Sequence, residues 1–320
     1  MAQRVERVAI VGASGQIGSF FVEELFKTGK HTVTAITRSA SSTGFPAGVN
    51  IATVDYDDQA SLVAALEGQQ FLIITMALTA PRDSQEKLIR AAAKAGVPYV
   101  MPNWYGVDFA NKVLLADCPF PPQLTGTTAL IEELGVSSWI ILSCGMWYEY
   151  SLSVGLDTFG IDIKNREVIW IDEGETMINV SSYRQCGRAI SGLLSLEEIP
   201  AQGEDASRSL SQFSNHVAYI SSFRLSQKDI FESVKRVTGT SNADWKFSKE
   251  TAVGRWKEAA DRIQKGDWSA FLKQLYSRVF FPDGSADIAG KRVVNNDLLG
   301  LPLQDLDELT RAAIVLVEAV

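Results

Sequence analysis

Seven residues near the start of the chain, Gly12-Ala13-Ser14-Gly15-Gln16-Ile17-Gly18, constrain its fold more than any other stretch. They follow a β-branched run at 8–11. They lead into a helical pattern that puts Ile17, Phe20, Phe21 and Leu25 on one face and stops at Gly29. Glycines at these positions let the backbone turn tightly, approach a pyrophosphate and bring the helix onto the sheet. The helix N-terminus then turns free N–H groups and the positive end of its dipole toward the phosphates. The spacing predicts a dinucleotide-binding turn built by Gly12, Ser14, Gly15, Gln16, Ile17 and Gly18. A glycine-rich turn without a ligand is the weaker alternative.

The rest of the first half repeats this punctuation. Strands are expected at 32–36, 49–54, 71–76, 97–101 and 138–143. Helices are expected at 58–66, capped by Asp58, at 82–95 and at 124–134. The fourth run is apolar throughout, as expected of a strand covered on both faces. Strands alternating with helices over short connections argue for α/β architecture with a doubly wound parallel sheet. After about residue 150 the rhythm breaks. Strands at 167–171 and 216–220 mix with helices at 186–195, 227–237, 251–264 and 305–320. At roughly 150 residues per domain, 320 residues make about two units. The expectation is a nucleotide half at 1–150 and a smaller α+β substrate lobe at 151–320, with some segments returning to the first half.

The end of the second strand selects the cofactor. An acid there would hold the ribose 2′-hydroxyl of NAD, but the segment reads Ala35-Ile36-Thr37-Arg38-Ser39. Arg38 can fork onto a 2′-phosphate and Ser39 can add a hydroxyl, which favours NADP(H). A solvated loop arginine is the alternative. Asp55 and Tyr56, after the third strand, are placed to flank an adenine. Thr75 and Met76 end the fourth strand, and Asn103 follows the fifth, at the carboxyl edge where such ligands lie.

Composition narrows the function. The formal charge is −8 and no long Lys/Arg run occurs, so neither a nucleic-acid nor a membrane partner is expected. The longest apolar run, 71–80, is too short to cross a bilayer. The first seven residues enter a strand directly, and no secretory leader is expected. Three cysteines (Cys118, Cys144, Cys186) lack CxxC spacing, which suits a reducing, cytoplasmic setting without disulfides or a metal site. With only two histidines, of which His31 reads as a turn residue, histidine-based catalysis has little room.

Taken with PNWYG (Pro102 to Gly106), the GASGQIG and ITRS segments resemble the NmrA-like/isoflavone-reductase-like group, atypical relatives of the short-chain dehydrogenases. Segments such as Gly145-Met-Trp-Tyr-Glu-Tyr-Ser151, Gln185-Cys-Gly-Arg-Ala189 and Asn296-Asp-Leu-Leu-Gly-Leu-Pro302 are similar to its fungal branch. The resemblance implies a Rossmann-like domain, NADP(H) and a lobe closing over a small organic substrate. Some members reduce phenolic or other aromatic metabolites; others bind dinucleotide and regulate a partner protein.

Catalytic residues are less legible. No tyrosine has a lysine four residues on, so the usual Tyr-x-x-x-Lys pair is absent. The resemblance implies a lysine near Gly126 or Thr127, but residues 123–130 contain none. Tyr148, Tyr105 and Lys112 are weak candidates, Lys112 fitting a solvated loop better; Tyr150 or bound water could also supply a proton. Trp104, Tyr105, Met146, Trp147 and Tyr148 lie just past two strand ends and are expected to line the pocket; for the two tryptophans a core role is an equal alternative. Three functions fit: a reductase of a small apolar or aromatic metabolite, a non-catalytic NADP(H) sensor, or an isomerase, cyclase or dehydratase that keeps the dinucleotide.

Overall fold

The computed structural model describes residues 4–38, 44–77, 79–200 and 208–318. In chain order the strands are β1 (Arg7–Val11), β2 (Thr32–Thr37), β3 (Asn50–Thr53), β4 (Phe71–Ile74), β5 (Tyr99–Met101), β6 (Tyr105–Gly106) and β7 (Ser138–Ser143). They continue with β8 (Met146–Trp147), β9 (Ile161–Asp162), β10 (Glu167–Ile171), β11 (Ile178–Ser181), β12 (His216–Tyr219), β13 (Phe223–Leu225) and β14 (Lys246–Glu250).

The main sheet runs β12-β7-β5-β4-β1-β2-β3, all parallel, with β6 added against β7. This is the expected Rossmann-like, doubly wound sheet. Val8 and Ile10 point to one face, where Phe21 and Leu25 of the helix Gly18–Lys27 pack with Cys186, Ile190 and Leu193 of the helix Tyr183–Leu194. Ala9 and Val11 point to the other, against Leu62, Leu66, Leu88, Ala92 and Ile131. The strict alternation along β1 is the period-two pleat of a strand buried on both sides. The order in which strands are added reverses at β1, whose neighbours are β2 and β4. A crevice at the carboxyl edge is the expected consequence.

A third core, containing Tyr148, Phe159, Phe231, Tyr276, Phe280 and Leu309, fills the second half. It is bounded by two small mixed sheets, β14-β10-β9 and β13-β11-β8.

The structure departs from the sequence reading, or adds to it, in four places. The strand at 216–219 is not in the lobe; it is the edge of the main sheet, pairing with β7 from His216↔Ile140 to Tyr219↔Ser143. Met146 and Trp147, expected just past a strand end, form the short strand β8, which pairs with β11. The helices Tyr148–Val154 and Phe271–Val279 went unread. His31 is buried, with Nδ1 2.8 Å from the Val5 carbonyl oxygen.

Candidate functional site

The crevice begins at the glycine turn. Gly12 has φ +73°, and a Cβ there would lie 1.6 Å from the Thr75 carbonyl oxygen. A Cβ on Gly18 would lie 2.2 Å from the Gly12 carbonyl oxygen. Side chains are therefore excluded at both positions, and the turn lies flat on the end of β4. The helix that follows has Ile17 as its N-cap, which offers no side-chain acceptor to the first-turn N–H groups. Ser14, Gly15 and Gln16 are exposed above it. A bare helix N-terminus beside a cradle that a Cβ would fill fits a pyrophosphate.

Other expected cofactor residues divide into two kinds. Some build the edge. Thr75 donates its hydroxyl to the Val11 carbonyl oxygen at 2.8 Å, locking β4 to β1. Asn103 clamps Met76: its Oδ1 accepts the Met76 N–H at 3.1 Å and its Nδ2 donates to the Met76 carbonyl at 2.9 Å. Asp55 accepts the Asp57 N–H at 2.9 Å in the turn after β3. The others are free to meet a ligand. Arg38 is exposed at the end of β2, and its charge reaches Tyr56, whose hydroxyl is pushed up by burial and drawn back by Arg38. Ser39 lies outside the described residues.

A cavity of about 490 Å³ opens beside the turn, lined by Gly15 to Gly18, Thr75, Met76, Asn103, Trp104, Tyr105, Met146, Trp147 and Tyr150. The far wall comes from distant segments: Phe120 and Leu124, then Phe271, Leu272, Leu275 and Tyr276. Among the described residues no Asp, Glu, Lys, Arg or His lines it. A second chamber of about 510 Å³ shares Met76, Asn103, Leu124 and Phe271 with the first and adds Arg82 at its lip. An uncharged aromatic wall with few polar groups suits an apolar or aromatic molecule.

Two candidates do not reach the cavity. Tyr148 is fully buried in the lobe core, with its hydroxyl 2.6 Å from Thr310 Oγ1, and burial pushes its phenol up. Trp147 ends β8, and the chain turns into a helix at Tyr148, which swings the next side chain inward. Lys112 is exposed, its ammonium 4.8 Å from the centre of the Phe109 ring. Tyr105 does line the cavity, but its hydroxyl donates to the Ile74 carbonyl oxygen at 3.0 Å. Leu124, from the stretch without a lysine, is itself a wall residue.

The sequence reading missed the far wall and one acid. Phe271, Leu272, Leu275, Tyr276 and Val279 recur at helical spacing, a signal that was present. Glu149 stands alone among aromatics in Trp147-Tyr148-Glu149-Tyr150. It is buried, and burial pushes its carboxyl up to about 7. A carboxyl raised in the folded state favours folding fully below its unfolded value and loses that contribution as pH rises to about 7. Unfolding in urea at pH 5 and pH 8 should show the protein losing up to about 3 kcal/mol between them. The Glu149→Gln variant should lack that part of the slope.

Comparison with known proteins agrees with this geometry. Residues 4–116 match the NmrA-like family. The chain is 24% identical over 310 residues to Oxidoreductase aprR of Aspergillus flavus, covering 95% of this chain and 97% of that protein. Its fold is similar to AtPrR2 with NADP+ and (+)pinoresinol, with TM-score 0.74, 17% identity and full coverage of both chains. It is also similar to an isoflavone reductase, with TM-score 0.72, 18% identity, and 99% and 100% coverage.

Proposed function

We propose, from the premise that this is an NmrA-like, isoflavone-reductase-like chain, that it is an NADPH-dependent reductase of a small apolar or aromatic metabolite. One observation carries the reading: the uncharged, aromatic-walled cavity of about 490 Å³ opens directly beside the glycine turn. Whatever sits there lies against the place a bound nicotinamide would occupy. The named relatives support it: one is an oxidoreductase, and a fold neighbour holds NADP+ with (+)pinoresinol.

The Gly12–Gly18 turn and the bare helix end hold the pyrophosphate, and Arg38 meets the 2′-phosphate. Bound NADPH supplies a hydride. The protein's own part is to orient the acceptor between Trp104, Met146, Trp147 and Phe271 and to keep water out while transfer occurs. In this reading residues 1–150 hold the nucleotide and 151–320 complete the pocket, with the helix Tyr183–Leu194 and β12 returning to the first half. Three free, buried cysteines fit a cytoplasmic enzyme.

The test follows NADPH absorbance with a panel of aryl ketones, enones, quinones and imines. Consumption with any of them supports the reading. Tight binding without consumption overturns it in favour of a sensor, and conversion of a substrate without consumption overturns it in favour of an isomerase, cyclase or dehydratase. Arg38→Ala should weaken NADPH binding about 10- to 100-fold and leave NADH unchanged, the worth of one or two charge-assisted hydrogen bonds. Equal losses for both dinucleotides would remove the 2′-phosphate assignment.

A further inference from the structure

The first cavity suits an apolar acceptor, but it is one room of a longer passage. The second chamber shares Met76, Asn103, Leu124 and Phe271 with it. An outer groove of about 490 Å³ in turn shares Arg82, Pro119, Pro121, Gln123 and Trp268 with the second chamber. We infer that the passage takes a two-part substrate: an aromatic acceptor in the first cavity, and a tail ending in a carboxylate that Arg82 selects at the junction of chamber and groove. This rests on the reductase reading for the fate of the acceptor, but not for the binding of the tail.

Charge points to the tail. Among the described residues, Arg82 is the only Asp, Glu, Lys, Arg or His that lines any of the three spaces. Its side chain is exposed. The acids next to it in sequence are already taken, Asp83 by Lys87 at 2.8 Å and Glu86 by Arg90 at 2.9 Å. Asp267, beside Trp268 at the opposite lip, is held by Arg262 at 2.8 Å. In a chain of net charge −8, an arginine without an acid at the mouth of an uncharged passage attracts anions there. The guanidinium fork fits a carboxylate.

The other polar groups sort by what they already bond. Gln85 Oε1 accepts the Asn103 N–H at 2.6 Å, and its Nε2 donates to the Gln123 carbonyl oxygen at 3.4 Å. The Asn103 amide is spent on Met76. Gln123 differs, because its buried Oε1 has no partner and so does not fix the rotation of the amide. That amide can turn its N–H groups toward an occupant. Gln123 and Arg82 both line the chamber and the groove, so they stand at one junction.

The walls between the acceptor and this junction suit a hydrocarbon stem. Pro81, Pro119 and Pro121 have no N–H to offer, and their locked φ angles hold the shape of the chamber. Trp268 is 59% exposed at the junction and gives the stem an aromatic face. The passage is thus apolar along its length and cationic at one place.

The experiment uses γ-benzoylbutyrate, an aryl ketone with a carboxylate on a short tail, and its primary amide, which has nearly the same shape without the charge. With NADPH, kcat/KM should favour the acid about 10-fold, with the difference in KM, because the tail binds equally in ground and transition states. Arg82→Ala should bring the ratio to about one, and Arg82→Lys should restore part of it. Calorimetry on the NADP+-loaded protein repeats the comparison without turnover, using γ-phenylbutyrate, its amide and acetate. γ-Phenylbutyrate should bind about 10-fold more tightly than its amide, and acetate should compete with it poorly. A preference that survives Arg82→Ala overturns the subsite, as do equal affinities for acid and amide or no binding of either. Acetate that competes as well as γ-phenylbutyrate overturns the two-part substrate. If neither the carbonyl panel nor the keto acid consumes NADPH, the reductase reading falls, and calorimetry alone decides the subsite.

Discussion

Gly12→Ala should abolish useful dinucleotide binding, weakening it at least about 100-fold, a loss of about 3 kcal/mol. Two costs combine. Gly12 has φ +73°, where an L side chain costs roughly 1–2 kcal/mol. The added Cβ would also lie 1.6 Å from the Thr75 carbonyl oxygen, a backbone atom that cannot swing aside. The Thr75 N–H is bonded to the Val11 carbonyl at 3.0 Å, so moving Thr75 parts the tips of β1 and β4. The glycine turn then lifts from the sheet and the helix N-terminus loses its aim. Fluorescence titration of NADPH measures the loss, and thermal unfolding should show a lowered Tm. Gly15→Ala is the control: its Cβ would meet the Gly12 carbonyl oxygen at 3.0 Å without a positive φ, so its effect should be smaller. Gly12→Ala affinity equal to that of the unaltered protein would overturn the account.

Arg278→Ala should cost about 3 kcal/mol of stability, read as a lower urea midpoint. The Arg278 side chain is 1% exposed, yet it carries a guanidinium. Nε donates to Asp117 Oδ2 at 2.7 Å, and Nη2 lies 2.9 Å from Asp283. The Phe281 ring lies 4.6 Å beneath. This one side chain ties the segment after β6 to the helix Phe271–Val279, whose Phe271, Leu275 and Tyr276 form the far cavity wall. Truncation empties a buried volume and frees both acids. Because Asp117 and Asp283 are more than a third exposed, water takes them back, which keeps the cost at the low end for a buried pair. Arg278→Lys keeps the charge without the fork and should fall between. A midpoint unchanged by Arg278→Ala would show that the wall is held by packing alone.

Much of the nucleotide half was legible because local rules and the global fold agree there. Period-two burial along β1, the Asp58 cap and the carboxyl-edge rule together located the turn, Thr75, Met76 and Asn103. The same edge rule found Trp104, Tyr105, Met146 and Trp147 at the cavity. It failed at Tyr148 because one residue beyond a strand tip the backbone had already become helical, and that reverses which side chain faces in. Phe120 and Phe271 pack edge to face in the far cavity wall, yet lie far apart along the chain. Nothing local in either segment announces the pairing. Glu149 was passed over because an acid among aromatics reads as a surface position; only the packing of two helix starts around it shows that it is buried.

The placement of β12 bears on how the chain must be made. Until residues 216–219 emerge, β7 presents a bare edge, and the apolar flank of the helix Gly18–Lys27 waits for the helix Tyr183–Leu194. A nascent chain of 150 residues thus carries the full glycine motif on an unfinished sheet, with the sticky rim that invites edge-to-edge association. Biosynthesis therefore passes through an interval in which that rim is uncovered. A fragment ending at residue 150 should aggregate, although it contains the whole Gly12–Gly18 turn and Arg38.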